Sequence, residues 1–75
     1  MHAERLVQMA NDIAAFFAAE PDHASAIAGI ENHIRKFWEP RMRKQLIAHW
    51  QAGGQGLDAL AAEAVAALAA HAAAA

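Results

Sequence analysis

Large apolar side chains recur along this chain at spacings of three and four residues, a pattern that predicts four α-helices. The first helix is expected over residues 3–18 and the second over residues 23–37. The third runs from residue 40 to about residue 52, and the fourth begins at residue 57 or 58. No segment alternates β-branched and polar residues as a strand would. The fold class is therefore predicted to be all-α, a small single domain of about four short helices over residues 1–75.

Each predicted helix carries an apolar stripe that would face a shared core. Two pairs of neighbouring aromatic residues, Phe16-Phe17 and Phe37-Trp38, fit these stripes poorly, since adjacent side chains on a helix point about 100° apart. Either the stripes are wide and all four aromatics are core residues, or one member of each pair lies near the surface and can contact a partner protein. The stripe residues are Leu6, Ala10, Ile13, Phe17, Ile27, Ile30, Ile34, Phe37, Met42, Leu46, Ile47, Trp50, Leu57, Leu60, Ala64 and Leu68.

Prolines and polar residues mark where the helices begin and end. Pro21 ends the first helix, because the residue before a proline is pushed out of the α conformation. Asp22 suits the N-cap of the second helix, where its carboxylate can accept a free backbone N–H. Pro40 suits the first position of the third helix and marks a corner between helices two and three. Gly53 is expected to supply the left-handed cap that ends the third helix.

The chain is small for a stable domain, and it has no cysteine. A domain of 75 residues buries only about 60% of its unfolded surface, so it usually needs a disulfide, a metal or a partner. Without cysteine, disulfides, thiolate zinc sites and iron–sulfur ligation are excluded. Helix packing and a partner protein remain as sources of stability.

An alanine-rich segment closes the sequence. Twelve of the seventeen residues from 59 to 75 are alanine, which has the best helix propensity, so this segment can be helical with little packing. Residues 69–75 are expected to form a frayed tail, in which His71 is solvated. Glu63 and His71 interrupt the segment, and alanine is only weakly apolar, so it is not predicted to span a membrane.

Basic residues are concentrated in the middle of the chain. Five of the six Lys and Arg residues lie between positions 35 and 44, although the formal net charge of the chain is −2. Glu31 and Arg35 are spaced to form an ion pair on the second helix. The cluster is typical of a solvated face or of a patch for an acidic partner. A DNA-binding helix is a further interpretation, but the cluster offers only Gln45 as a polar base reader, and the overall charge is negative.

No residue set typical of catalysis or metal binding is present. The only serine, Ser25, lies in the first turn of a predicted helix, and the eight carboxylates are scattered. None of the five histidines has a second histidine four positions away, the spacing that puts two imidazoles on one helical face. No catalytic, cofactor-binding or metal-binding residue is therefore predicted in this chain.

Three stretches resemble the delta-subunit family of molybdenum-containing, NAD-dependent formate dehydrogenases. They are residues 4–17, residues 30–43 (IENHIRKFWEPRMR) and residues 46–58 with their glycine turn. The KFW-x-PRMR block is the most distinctive, and the resemblance extends over residues 4–68. It implies a partner alpha subunit with a molybdenum cofactor and iron–sulfur clusters, and beta and gamma subunits with flavin, NAD and further clusters. The delta subunit of the family carries no cofactor.

The resemblance leads to a docking hypothesis for the corner between helices two and three. Trp and Arg are enriched in protein interfaces, and the arginines offer forked donors to carboxylates or carbonyls. The alternative is that Trp38 and Met42 fill the core and the arginines are solvated. The residues expected to bind the alpha subunit are Arg35, Lys36, Trp38, Pro40, Arg41, Met42, Arg43 and Trp50.

The functional hypothesis is a non-catalytic, cytoplasmic accessory subunit that supports the stability or cofactor loading of the alpha subunit. A dissociable chaperone for molybdenum cofactor insertion is the alternative, and a small helical DNA-binding protein is a further one. The first hypothesis implies no nucleic-acid partner and no membrane partner. The isolated chain is expected to be able to self-associate through exposed apolar stripes.

Overall fold

The computed structural model describes residues 2–74, which form four α-helices and contain no strand. Helix α1 spans Ala3–Phe17, α2 spans His23–Phe37, α3 spans Pro40–Gln51 and α4 spans Ala59–Ala74. The all-α prediction is confirmed, and the helix ends lie within one or two residues of the predicted ends. Positions 1 and 75 of the predicted domain lie outside the described residues.

One hydrophobic core lies between the four helices, and each helix contributes to it through its predicted stripe, except that Phe37 of the second stripe is exposed and Trp38 lies in the core instead. Helix α4 reaches this core mainly through small side chains, since Ala61 and Ala64 are fully buried beside Val65. Small side chains allow the backbone of α4 to approach its neighbours closely. The largest fully buried side chains are Leu6, Ile30, Ile34, Leu46 and Val65.

Hydrogen bonds and backbone angles confirm the predicted roles of Asp22, Pro40 and Gly53, whereas α1 already ends at Phe17, four residues before Pro21. Asp22 accepts hydrogen bonds through Oδ2 from the backbone N of Ser25 at 2.9 Å and from its Oγ at 2.6 Å. Pro40 is the first residue of α3, and extended angles at Glu39 (φ −66°, ψ 151°) precede it. After α3, Gly53 and Gly54 both have a positive φ, and the backbone N–H of Gly54 donates to the carbonyl of His49.

Helix α1 is joined to the start of α4 by the side chain of Asn11. Its Nδ2 donates to the carbonyl oxygen of Gly56 at 2.9 Å, and its Oδ1 accepts from the backbone N of Asp58 at 2.9 Å. The amide therefore satisfies a backbone donor directly before α4, where a helix leaves its first N–H groups without partners.

Helices α2 and α4 pack side by side and run in the same direction. His23 Nε2 lies 2.5 Å from Glu63 Oε2, and His71 Nδ1 contacts Glu31 Oε2. Both pairs join residues 40 positions apart, one pair near the start of α4 and one near its end. This spacing is met only when the two helices are parallel.

The contact between Glu31 and His71 corrects two expectations. Glu31 does not pair with Arg35, because its side chain is turned inward, is 7% exposed and meets the ring of His71 instead. The ring of His71 is 63% exposed but is held by this contact rather than being merely solvated. The described part of the tail, residues 69–74, is helical, while its predicted fraying stays a prediction.

Candidate partner-binding surface

The basic residues lie on the last turn of α2 and the first turns of α3, on either side of the Pro40 corner. Arg35, Lys36, Arg41 and Lys44 are exposed at this end of the molecule. Within residues 2–74, the ion pairs are those of His23 and His71 with glutamates, so none of these cations is neutralised by a carboxylate. The result is a concentrated positive surface on a chain with a formal net charge of −2.

Arg43 differs from its basic neighbours because it is partly buried and bonded to the end of α2. Its Nη1 donates to the carbonyl oxygen of Trp38 at 2.6 Å and to that of Arg35 at 3.2 Å. These carbonyls lie at the C-terminus of α2, where carbonyl groups lack helical partners and the helix dipole favours a cation. The guanidinium therefore fixes the corner between α2 and α3 from within the chain.

The large apolar residues of the predicted docking corner face inward. Trp38 is 6% exposed and belongs to the core, while Met42 and Trp50 are partly buried against it. This placement agrees with the alternative interpretation of Trp38 and Met42 as core residues. Trp50 packs beside Gly54 at the far end of α3, away from the basic corner.

Three of the predicted residues come together in a cleft of about 490 Å³ between α2, α3 and α4. Arg35 and Lys36 line it from α2, Arg43 lines it from α3, and His71 lines it from α4. The remaining lining residues are Asn32, Leu68 and Ala72. The cleft thus holds three permanent cations and an imidazole, with no carboxylate among its lining residues.

A smaller recess of about 140 Å³ adjoins the cleft and shares Arg43, Leu68 and Ala72 with it. Its other lining residues are Pro40, Lys44 and Ile47. Its walls are largely hydrocarbon, from the proline ring, the aliphatic chains and the stem of Lys44. Protein interfaces also combine charged and apolar residues, so the charged cleft and its apolar recess together have the composition of an interface.

The α4 wall of the cleft is the part that the sequence did not predict. His71 and its neighbours Leu68 and Ala72 are separated from Arg35 by more than thirty positions, and an alanine-rich segment carries no mark of a binding surface. The one available signal was the histidine itself, the only ionisable residue after Glu63.

Two large aromatic side chains are exposed elsewhere on the surface. Phe16 is 77% exposed and Phe37 is 70% exposed, whereas Phe17 and Trp38 are turned inward. The expectation that one member of each aromatic pair lies near the surface is confirmed. The rings of Phe16 and Phe17 meet edge to face, with centroids 5.1 Å apart.

Residues 2–74 contain no group of three or more His, Cys, Asp or Glu side chains placed to hold a metal ion. None of the helices in this part of the chain combines the length and hydropathy that crossing a bilayer requires. The basic cleft can attract anions, and the adjoining recess can bury an apolar side chain. Both properties suit the binding of another molecule.

One family of known proteins matches most of this chain. The model of the NADH-dependent formate dehydrogenase delta subunit FdsD matches residues 5–65. The chain belongs to this family. The match starts in α1 and ends within α4, so it takes in the Pro40 corner and the whole basic cluster. The earlier resemblance is confirmed.

Membership of the FdsD family makes the chain a delta subunit of an NAD-dependent formate dehydrogenase, an enzyme that is a complex with other subunits. The α2 and α3 walls of the cleft lie within the matched residues, whereas Leu68, His71 and Ala72 lie beyond them. No curated protein and no solved structure matches the chain.

Proposed function

We propose that this chain is a non-catalytic accessory subunit that binds the molybdenum-containing alpha subunit of a cytoplasmic, NAD-dependent formate dehydrogenase. The observation that carries the proposal is the family match over residues 5–65, which includes three complete or nearly complete helices and the start of the fourth. In this role the chain supports the stability or the cofactor loading of its partner.

The exposed surface supports a docking role. Phe16 and Phe37 leave large apolar rings in water, and covering them on a partner would be favourable. Arg35, Lys36, Pro40 and Arg41 are exposed and available for contact. Trp38 offers little surface, so a contribution from it would be the indirect one of shaping the corner.

The proposal assigns no cofactor to this chain. The sequence has no cysteine, so it offers no thiolate to an iron–sulfur cluster. We place the molybdenum cofactor and the iron–sulfur clusters in the alpha subunit, and the flavin and NAD sites in the beta and gamma subunits. The role of the delta subunit is then carried by its surface alone.

The proposal is tested in cells that express the whole formate dehydrogenase operon with or without this chain. An affinity tag on the chain should recover the alpha subunit. Omitting the chain should give an enzyme with less molybdenum per alpha subunit and lower formate oxidation. Fully active enzyme without the chain, together with no co-elution, would overturn the proposal.

The same material separates a permanent subunit from a dissociable assembly chaperone. Stripping the chain from mature enzyme should destabilise a complex that needs it permanently. Retained activity and molybdenum after its removal would favour the chaperone. Retention of the chain on duplex DNA, weakening steeply with salt, would instead favour the DNA-binding alternative.

A further inference from the structure

The cleft between α2, α3 and α4 has the charge and the shape of a binding site. Arg35, Lys36 and Arg43 line it, neither Glu31 nor Glu39 is among its lining residues, and Glu31 is turned inward to His71. Bringing three cations to one concave wall is unfavourable for the isolated chain, because like charges repel. An anionic guest would remove this repulsion.

Arg43 makes the cleft preorganised. Its Nη1 is held by two carbonyl oxygens of α2, so the guanidinium is fixed on the cleft wall before any guest arrives. A planar guanidinium held in this way can offer its remaining N–H groups to a carboxylate without losing further side-chain freedom. Arg35 and Lys36 are exposed and can adjust around the same guest.

The adjoining recess indicates that the ligand has an apolar group as well as a negative charge. It opens from the cleft past Arg43, Leu68 and Ala72, and Pro40 and Ile47 complete its apolar lining. A simple inorganic anion would leave this recess empty. A peptide with a carboxylate next to an apolar side chain would fill both spaces together.

The distribution of charge over the whole chain disfavours a nucleic acid as the guest. Residues 35–44 contain five basic residues and one acidic residue, whereas the rest of the chain contains one basic and seven acidic residues. A long polyanion extending beyond the cleft would meet a chain whose remaining charges are mostly negative. A short acidic segment would meet only the positive part.

We infer that this cleft binds an acidic segment of another formate dehydrogenase subunit, with an adjacent apolar side chain seated in the recess. The inference rests on the proposed function, since it supplies the contact by which the delta subunit is held. It names Asn32, Arg35, Lys36, Arg43 and His71 as the polar wall of the interface.

Carbodiimide cross-linking of the purified complex tests the inference directly, because it joins a lysine amine to a carboxylate only when the two are in contact. The chain has two lysines, Lys36 in the cleft and Lys44 at the recess. Mass spectrometry should find Lys36 joined to an Asp or Glu of another subunit. Lys36→Arg keeps the positive charge but removes the reactive amine, so it should abolish this cross-link.

A charge-reversal variant supplies the second measurement. Arg35→Glu with Lys36→Glu should weaken binding to the complex by about tenfold or more, and more strongly at low salt than at high salt. Arg5→Glu is the matched control, since Arg5 is an exposed cation of α1 outside the cleft, and binding should be unchanged. Circular dichroism checks that each variant is folded.

The outcomes distinguish this inference from the proposed function. Suppose that the chain co-purifies with the complex, that Lys36 joins no other subunit, and that the charge-reversal variant binds as tightly as wild type. This result would overturn the inference that the cleft binds an acidic segment, and the accessory role would still hold. A chain that does not co-purify at all would overturn the proposed function itself.

Discussion

Gly29 of α2 lies against the ring of Phe17, the last residue of α1. A Cβ atom at this position would lie 2.4 Å from Cε1 and 2.7 Å from Cδ1 of that ring, much closer than carbon atoms approach without strain. Gly29 has ordinary helical geometry, so the close packing of the ring, and not an unusual backbone, accounts for the glycine.

We expect Gly29→Ala to lower the free energy of unfolding by about 1–3 kcal/mol, the usual cost of overpacking. Helix propensity alone predicts the opposite, a gain of about 1 kcal/mol. Urea unfolding followed by circular dichroism measures the difference. Adding Phe17→Leu should recover part of the loss, and a double-mutant cycle would show this coupling. A more stable Gly29→Ala protein would mean that the ring of Phe17 can move aside at little cost.

Asp22 is the residue whose ionisation is linked to a helix cap. Hydrogen bonds from the Ser25 hydroxyl and then from its backbone N–H lower the pKa of Asp22 below its ordinary value of 3.8. Because the folded-state pKa is the lower one, the stabilisation is fully present above the unfolded-state pKa. It is lost as the pH falls through the folded-state pKa.

We expect Asp22→Ala to lower the thermal midpoint by a few degrees at neutral pH, because an orphan N–H of α2 loses its acceptor. The difference from wild type should shrink when melting is repeated below pH 3.8. Asp22→Asn is the control, since an amide also caps but does not titrate in this range. A difference that stays constant with pH would show that the ionised carboxylate is not what stabilises α2.

Whether the role of a residue could be predicted from the sequence depends on how far away in the chain its partner lies. The roles of Asp22, Pro40 and Gly53 could be predicted because a cap or a helix start depends on a few neighbouring residues. The roles of Asn11 and Glu31 could not, since their partners are 45 and 40 positions away. Nothing local distinguishes Asn11 from a solvated amide.

At the level of helices, Arg43 fixes the corner between α2 and α3 together with Pro40. The stripes predicted the four helices because apolar periodicity sets which face is buried. They did not predict that one arginine of the basic cluster would bond the end of α2. The docking hypothesis grouped Arg43 with its exposed neighbours, whereas the structure gives it internal partners.

We expect Arg43→Ala to lower the free energy of unfolding by about 1.5–3 kcal/mol, the range for hydrogen bonds made by a charged group. Arg41→Ala is the matched control, because Arg41 is exposed and should change stability by less than about 0.5 kcal/mol. Chemical denaturation compares the two. Equal effects would show that the bonds to the carbonyls of Trp38 and Arg35 add nothing.

In the whole molecule, the last turns of α4 contribute contacts that an alanine-rich composition does not predict. Alanines carry α4 to Ala74, and His71 on this segment covers the carboxylate of Glu31, whose side chain is only 7% exposed. The frayed-tail prediction treated residues 69–75 as an appendage. Among residues 69–74, which the structure describes, His71 makes one polar contact and His71 and Ala72 form part of the cleft wall, while the fraying stays a prediction.

We expect a chain truncated after residue 68 to be less stable by about 1–3 kcal/mol, because it loses the turn of α4 that covers Glu31 and the contact between Glu31 and His71. A chain truncated after residue 71 keeps His71 and is the control. Replacing Glu31 with Met in the shorter chain should restore part of the loss, since an apolar side chain needs no partner there. Equal melting of the two truncated chains would show that residues 69–71, with His71 among them, add nothing to stability.

The two histidine–glutamate pairs also determine the direction of α4. Along α2 the histidine comes first and the glutamate second, whereas along α4 the order is reversed. With α4 turned end for end, His23 would face His71 and Glu31 would face Glu63, so that each residue would meet its own kind. An alanine-rich helix has nearly the same shape in either orientation, and its apolar stripe discriminates weakly between them. Helix α4 has few large side chains that could favour one orientation over the other. The order of the four polar side chains therefore determines the direction in which α4 packs.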